Sequence, residues 1–60
     1  MKGEDIKRIR ERLNLTLEEL GKELGVSAAT MYRKENDLTP IKKLEAEAIR
    51  QMARDNGIKT

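Results

Sequence analysis

The sequence predicts an all-α fold, a compact bundle of four or five helices. Three observations carry this reading. Apolar residues recur at three- and four-residue spacing along the chain, the period of one face of a helix. Strand signals are missing, since valine occurs once and no segment alternates apolar with polar residues. Capping residues divide the pattern into pieces, with Thr16, Ser27 and Thr39 placed to start helices and Gly25 and Gly57 placed to end them.

Sixty residues make one domain, residues 1–60, with a thin core. A chain of this size buries only about 60% of the surface its unfolded form exposes. Cysteine and histidine are both absent, which removes disulfides, the commonest metal ligand and the usual general base. An enzyme or a metalloprotein is therefore not expected, and no cofactor or small-molecule ligand is expected either. Charge is high at 40% but nearly balanced, giving a net charge of +2 that mildly favours an anionic partner. No apolar run approaches the roughly 18 residues of a membrane span, and no signal peptide is visible, so the chain reads as cytoplasmic.

The first helix is expected over residues 3–13. Ile6, Ile9 and Leu13 share one face, Glu4 and Asp5 complement the dipole of the first turn, and Asn14 stops it. The second begins after Thr16, which with Glu19 forms the S/T-x-x-E capping box; Leu17, Leu20 and Leu24 mark its buried side and Gly25 closes it. Val26 is a buried link. Ser27 then caps a third helix that runs to Asn36. Asp37 and Leu38 form a tight connection. A fourth helix, continuous or kinked, opens at Thr39-Pro40, with Thr39 as N-cap and Pro40 at the first helical position. Its expected stripe is Ile41, Leu44, Ala48, Ile49 and Met52. Asn56-Gly57 ends it, with Ile58 making the hydrophobic contact of a Schellman stop. Lys59 and Thr60 are expected to fray.

The second and third helices are separated by so short a break that their crossing angle is fixed, which is the spacing of a helix-turn-helix unit at residues 17–36. Gly21 lies where the two helices come closest and must be small. Leu20, Leu24, Val26 and Met31 fill the wedge. What remains is the outer face of the third helix: Ala28, Ala29, Tyr32, Arg33 and Asn36.

These residues resemble the Cro and phage-repressor type of helix-turn-helix, the XRE-like family with a lambda-repressor-like fold. The resemblance spans residues 6–58 and rests on a set of fragments: Ile6-x-x-Ile9-Arg10, Leu15-Thr16-x-Glu18-Glu19-Leu20, Leu24-Gly25-Val26-Ser27, Thr30-Met31, Glu35-Asn36 and a proline-opened helix. It implies a partly buried structural salt bridge between Arg10 and Glu35. It also implies a recognition helix, residues 28–36, that enters the major groove of double-stranded DNA. Three positions depart from the family pattern. Leu17 stands where a polar residue, commonly Gln, is frequent. Lys34 stands where an apolar residue, often Trp, is usual, so either its side chain snorkels or the third helix sits slightly differently. Asp37 replaces the usual glycine.

On this footing the expected base contacts are Ala28, Ala29, Tyr32 and Arg33. Arg33 is the first choice, because arginine bonds bidentately to guanine O6 and N7. Ala28 and Ala29 offer no hydrogen bond but can pack on thymine methyl groups. Expected backbone contacts are Thr16, Ser27, Asn36, Lys34, Lys42 and Lys43, from helix N-termini and a basic cluster. Lys2, Lys7, Arg8 and Arg12 are expected to be solvated. The implied function is a sequence-specific transcriptional regulator, a repressor by type, binding its operator as a homodimer. Leu38, Ile41, Met52 and Ile58 are candidates for the dimer surface. Regulation is expected through concentration or a partner protein. The rival reading is a protein-interaction module, an antirepressor or an inhibitor of another regulator. It is motivated by Leu17, Ala28 and Ala29 on the would-be DNA face.

Overall fold

A computed structural model describes residues 1–59 and shows four helices: α1 (Gly3–Arg12), α2 (Leu17–Leu24), α3 (Ala28–Glu35) and α4 (Lys43–Asp55). There is no strand among the described residues, so the all-helical expectation holds. The fraying expected of Thr60 lies outside the described residues. α2 and α3 pack most closely, and α1 lies across both α3 and α4. Ile6, Ile9, Leu20, Met31, Ile49 and Ala53 meet in one core to which all four helices contribute. Leu13, Leu15, Leu17, Leu24, Val26, Ile41, Met52 and Ile58 pack around it, partly buried. Val26 is thus half-buried, not the fully buried link its sequence position suggests.

Each helix ends in the same way, with a residue of positive φ just past its end. Asn14 (φ 57°), Gly25 (φ 74°), Asp37 (φ 58°) and Gly57 (φ 70°) hold these positions. Each is followed by a residue whose amide donates back across the last turn: Leu15 to the Arg10 carbonyl, Val26 to Gly21, Leu38 to Arg33 and Ile58 to Ala53, at 2.8–3.1 Å. This is the Schellman arrangement, and it satisfies carbonyls that a helix end otherwise leaves unpaired. Asn and Asp tolerate the left-handed conformation better than other side chains, which is why the chain can use them at two of the four turns.

Asp37 does more than turn the chain. Its Oδ1 accepts from the Gly3 amide at 3.0 Å, so it caps α1 from 34 residues away. The start of α1 lies against the end of α3. A Cβ on Gly3 would collide with the Glu35 carbonyl and stand 2.6 Å from the Lys34 carbonyl oxygen. Asp37→Ala is expected to cost about 1–2 kcal/mol, since it removes a cap and leaves a non-glycine residue in the left-handed region without local compensation. Asp37→Gly should cost clearly less. Urea unfolding with an unchanged m-value checks both.

The fourth helix corrects the sequence reading. It does not open at Thr39-Pro40; Lys42 is its N-cap (ψ 149°), and helical geometry begins at Lys43. Glu45 accepts from the Lys42 amide at 2.9 Å and so supplies half of a capping box, the half that a lysine cap permits. The Pro40 carbonyl, meanwhile, is taken by the Lys34 ammonium at 3.0 Å. The helix is continuous to Asp55, which makes four helices, not five. With this start, Ala46, Ile49 and Ala53 form the inward stripe. Leu44, two residues before Ala46, falls about 200° around the helix and is 77% exposed, contrary to its expected place in the core. Ala48 is half-buried.

Candidate nucleic-acid interface

The helix-turn-helix unit is set by α2, its turn and α3. Thr16 Oγ1 accepts from the Glu19 amide at 3.1 Å, and Glu19 Oε1 accepts from the Thr16 amide at 2.9 Å, the reciprocal capping box. Ser27 Oγ accepts from the Thr30 amide at 3.2 Å and donates to Thr30 Oγ1 at 3.0 Å. Between them Gly21 carries the close approach. A Cβ there would collide with the Val26 carbonyl oxygen and stand 3.3 Å from the Ser27 carbonyl carbon. The two helices are therefore locked at one mutual angle by contact with backbone.

α3 separates its residues by face. Met31, Lys34 and Glu35 point inward and are buried. Ala29, Tyr32, Arg33 and Asn36 are exposed, at the i, i+3, i+4, i+7 spacing of one helical stripe, and Ala28 beside them is half-buried. Tyr32 is 55% exposed. Arg33 has no ion-pair partner among the described residues, so its guanidinium is available to a ligand. Asn36 Nδ2 donates to the Tyr32 carbonyl at 2.8 Å, closing the last turn of α3, so its side chain is already engaged. Thr16 and Ser27 head α2 and α3 and are exposed, as are Lys42 and Lys43 at the start of α4.

Two ion pairs brace this unit from behind. Arg10 Nε donates to Glu35 Oε2 at 2.6 Å and Arg10 Nη2 to Glu35 Oε1 at 3.2 Å, a bidentate fork, while Nη1 donates to the Leu15 carbonyl at 3.0 Å. The Glu35 side chain retains 4% exposure. The hydrogen bond to Glu35 raises the Arg10 pKa against the opposing cost of burial. This pair joins α1 to the end of α3.

The second pair was not anticipated. Lys34 neither snorkels nor reaches the surface, and it is not available to phosphate as the sequence suggested. It is 3% exposed, and its Nζ donates to Glu45 Oε1 at 2.7 Å. Burial pushes the Glu45 carboxyl up, but the hydrogen bonds from Lys34 and from the Lys42 amide outweigh it and hold the group below the usual carboxylate range. Glu45 carried no distinct sequence signal, because a helix opening at Thr39-Pro40 leaves it beyond the first turn; with the observed start it is the first-turn acidic residue. Its inward phase follows only once Ala46, Ile49 and Ala53 are known to form the core stripe of α4.

No helix among the described residues is long and apolar enough to cross a membrane. A small bundle in which a tightly angled helix pair leaves the outer stripe of its second helix exposed has the architecture of a helix-turn-helix domain. The family model described as "Helix-turn-helix domain" matches residues 3–54. The chain therefore belongs to the helix-turn-helix domain family, consistent with the XRE-like resemblance, and that membership implies DNA as its partner. No curated protein and no solved structure matches the chain.

Proposed function

We propose that this chain is a sequence-specific transcriptional regulator, a repressor by type, that places α3 in the major groove of an operator. The observation that carries the reading is the exposed stripe Ala29, Tyr32, Arg33 and Asn36, with an unpaired guanidinium at its centre. Arg33 and Tyr32 read base edges, with Ala28 and Ala29 allowing close approach or packing on thymine methyls. Thr16, Ser27, Lys42 and Lys43 meet the phosphates. Asn36 joins them only by giving up its bond to Tyr32. The work is binding, without chemistry, and its place is the cytoplasm, at the nucleoid. One domain covers one half-site, so a homodimer with half-sites about one helical turn apart is the working form.

Selection of bound sequences from a random duplex library tests this. An enriched palindromic motif is expected. Arg33→Ala should cost about 1–3 kcal/mol and relax the preference at one position, whereas Lys43→Ala should weaken all sequences alike and flatten the salt dependence by about one unit. Equal indifference to both substitutions would remove the DNA reading.

A second reading has its own observation. Leu38 and Leu44 are 70% and 77% exposed and flank the α3–α4 connection, while Ile41, Met52 and Ile58 are spent on the core. Exposed leucines of this size suit a protein contact. That contact is either the dimer surface of the regulator or the business face of an interaction module. Enrichment of a duplex sequence decides for the regulator.

A further inference from the structure

We propose that the buried Lys34–Glu45 pair is a positioning clamp for DNA-backbone binding, holding residues 38–43 in the conformation that presents Lys42 and Lys43 to phosphates. The inference rests on the DNA reading above and adds to it two residues that touch no DNA.

The pair grips the connection between α3 and α4 at two points. Lys34 Nζ donates to the Pro40 carbonyl at 3.0 Å and to Glu45 Oε1 at 2.7 Å. The same Glu45 oxygen accepts from the Lys42 amide at 2.9 Å. One ammonium and one carboxylate thus fix a carbonyl and an amide two residues apart, with Ile41 between them packed against the core. Nothing else caps α4, because lysine at the N-cap has no acceptor to offer.

Charge and polarity both matter. An acidic side chain free at the start of α4 would offset the positive charge of Lys42 and Lys43. Tied to Lys34, Glu45 is neutralised internally, and the two exposed lysines keep their charge for an anion. An apolar pair of similar volume would fill the same space but could hold neither the carbonyl nor the amide. Replacing a buried pair by apolar residues is often neutral for stability. The distinctive consequence of losing this pair therefore falls on the connection and its lysines.

The test is Lys34→Met/Glu45→Leu, measured with a labelled random-sequence duplex over a salt series and by amide hydrogen exchange of the free protein. The expected result is a protein still folded at the assay temperature and a Kd about tenfold higher, with a salt slope shallower by about one to two units, as loss of up to two phosphate contacts requires. Adding Lys42→Ala/Lys43→Ala to the variant should then weaken binding no further, and the Lys42 amide should exchange faster. If the double variant unfolds, Lys34→Met/Glu45→Gln retains an acceptor for the Lys42 amide and should give an intermediate slope. Unchanged affinity and slope, or a full additive loss from the lysine substitutions, would overturn the clamp. A parent that binds no duplex even at low salt would overturn both the DNA reading and the DNA role of the pair. Clamping of the connection alone would still show in the exchange of the Lys42 amide.

Discussion

Glu45→Ala is expected to destabilise the domain by about 3–5 kcal/mol, because it strands the Lys34 ammonium in the interior with only the Pro40 carbonyl for company. A 60-residue domain has a total stability of roughly 3–9 kcal/mol, so the loss removes at least about a third of it and leaves a domain at the low end of that range unfolded at room temperature. Removing both charges together is different. Lys34→Met/Glu45→Leu should cost only about 1–2 kcal/mol, since no charge is left unpaired and the volume is kept, and what is lost is the cap of α4 and the partner of the Pro40 carbonyl. Urea titration of the three proteins measures the contrast. The parent should also weaken in acid. The folded Glu45 carboxyl sits below its ordinary value, so the stabilisation from its ionised form is fully present above the unfolded pKa, about 4.3. It is lost as pH falls through the lower folded value. The apolar double variant should lose this part of the acid sensitivity. An acid transition identical in both proteins would show that the loss originates elsewhere.

Glu45 also marks where the sequence stopped being legible. Signals that act within one turn were readable: the Thr16–Glu19 box, the Ser27 cap, the stops at Asn14, Gly25 and Gly57, and the apolar spacing of α1 and α2. The stop at Ile58 was readable for the same reason. Thr39-Pro40 is a sound local signal for a helix start, and it lost to a contact between residues eleven apart in sequence. Once Lys34 holds the Pro40 carbonyl and Glu45 holds the Lys42 amide, the helix begins at Lys43; Leu44 faces outward because Ala46, Ile49 and Ala53 take the inward face. Asp37 shows the same limit. Its place in a tight connection, where glycine is usual, was legible, but its cap on Gly3 spans 34 residues and leaves no local trace. On the candidate interface, the outward stripe of α3 follows from helical period alone. Lys34 was misplaced because a lysine is ordinarily at the surface: its inward phase beside Met31 and the apolar residue usual at its position pointed in, but its buried partner Glu45 was not visible in the sequence.

Gly21→Val is the second large effect expected, and it separates two physical forces of opposite sign. Glycine in a helix costs about 1 kcal/mol relative to alanine, so propensity alone predicts that a side chain at position 21 would stabilise α2. The structure predicts the reverse. Gly21 has ordinary helical backbone, so no conformational freedom is at stake; what matters is the Val26 carbonyl oxygen, which occupies the space a Cβ would need. That oxygen belongs to the turn between α2 and α3 and cannot rotate away as a flexible side chain could. Gly21→Ala should therefore cost about 2–3 kcal/mol net, and the branched Gly21→Val more, approaching loss of the fold in a domain this small. A milder outcome is informative too. If Gly21→Ala folds, α3 must have been pushed off α2, and the angle that aims Ala29, Tyr32 and Arg33 together changes with it. Sequence-specific binding should then fall more than binding to random duplex, since phosphate contacts tolerate a tilt that base-edge hydrogen bonds do not. Full retention of both stability and specificity in Gly21→Ala would mean the turn can give by several tenths of an ångström, and the rigid helix pair inferred for this unit would be wrong.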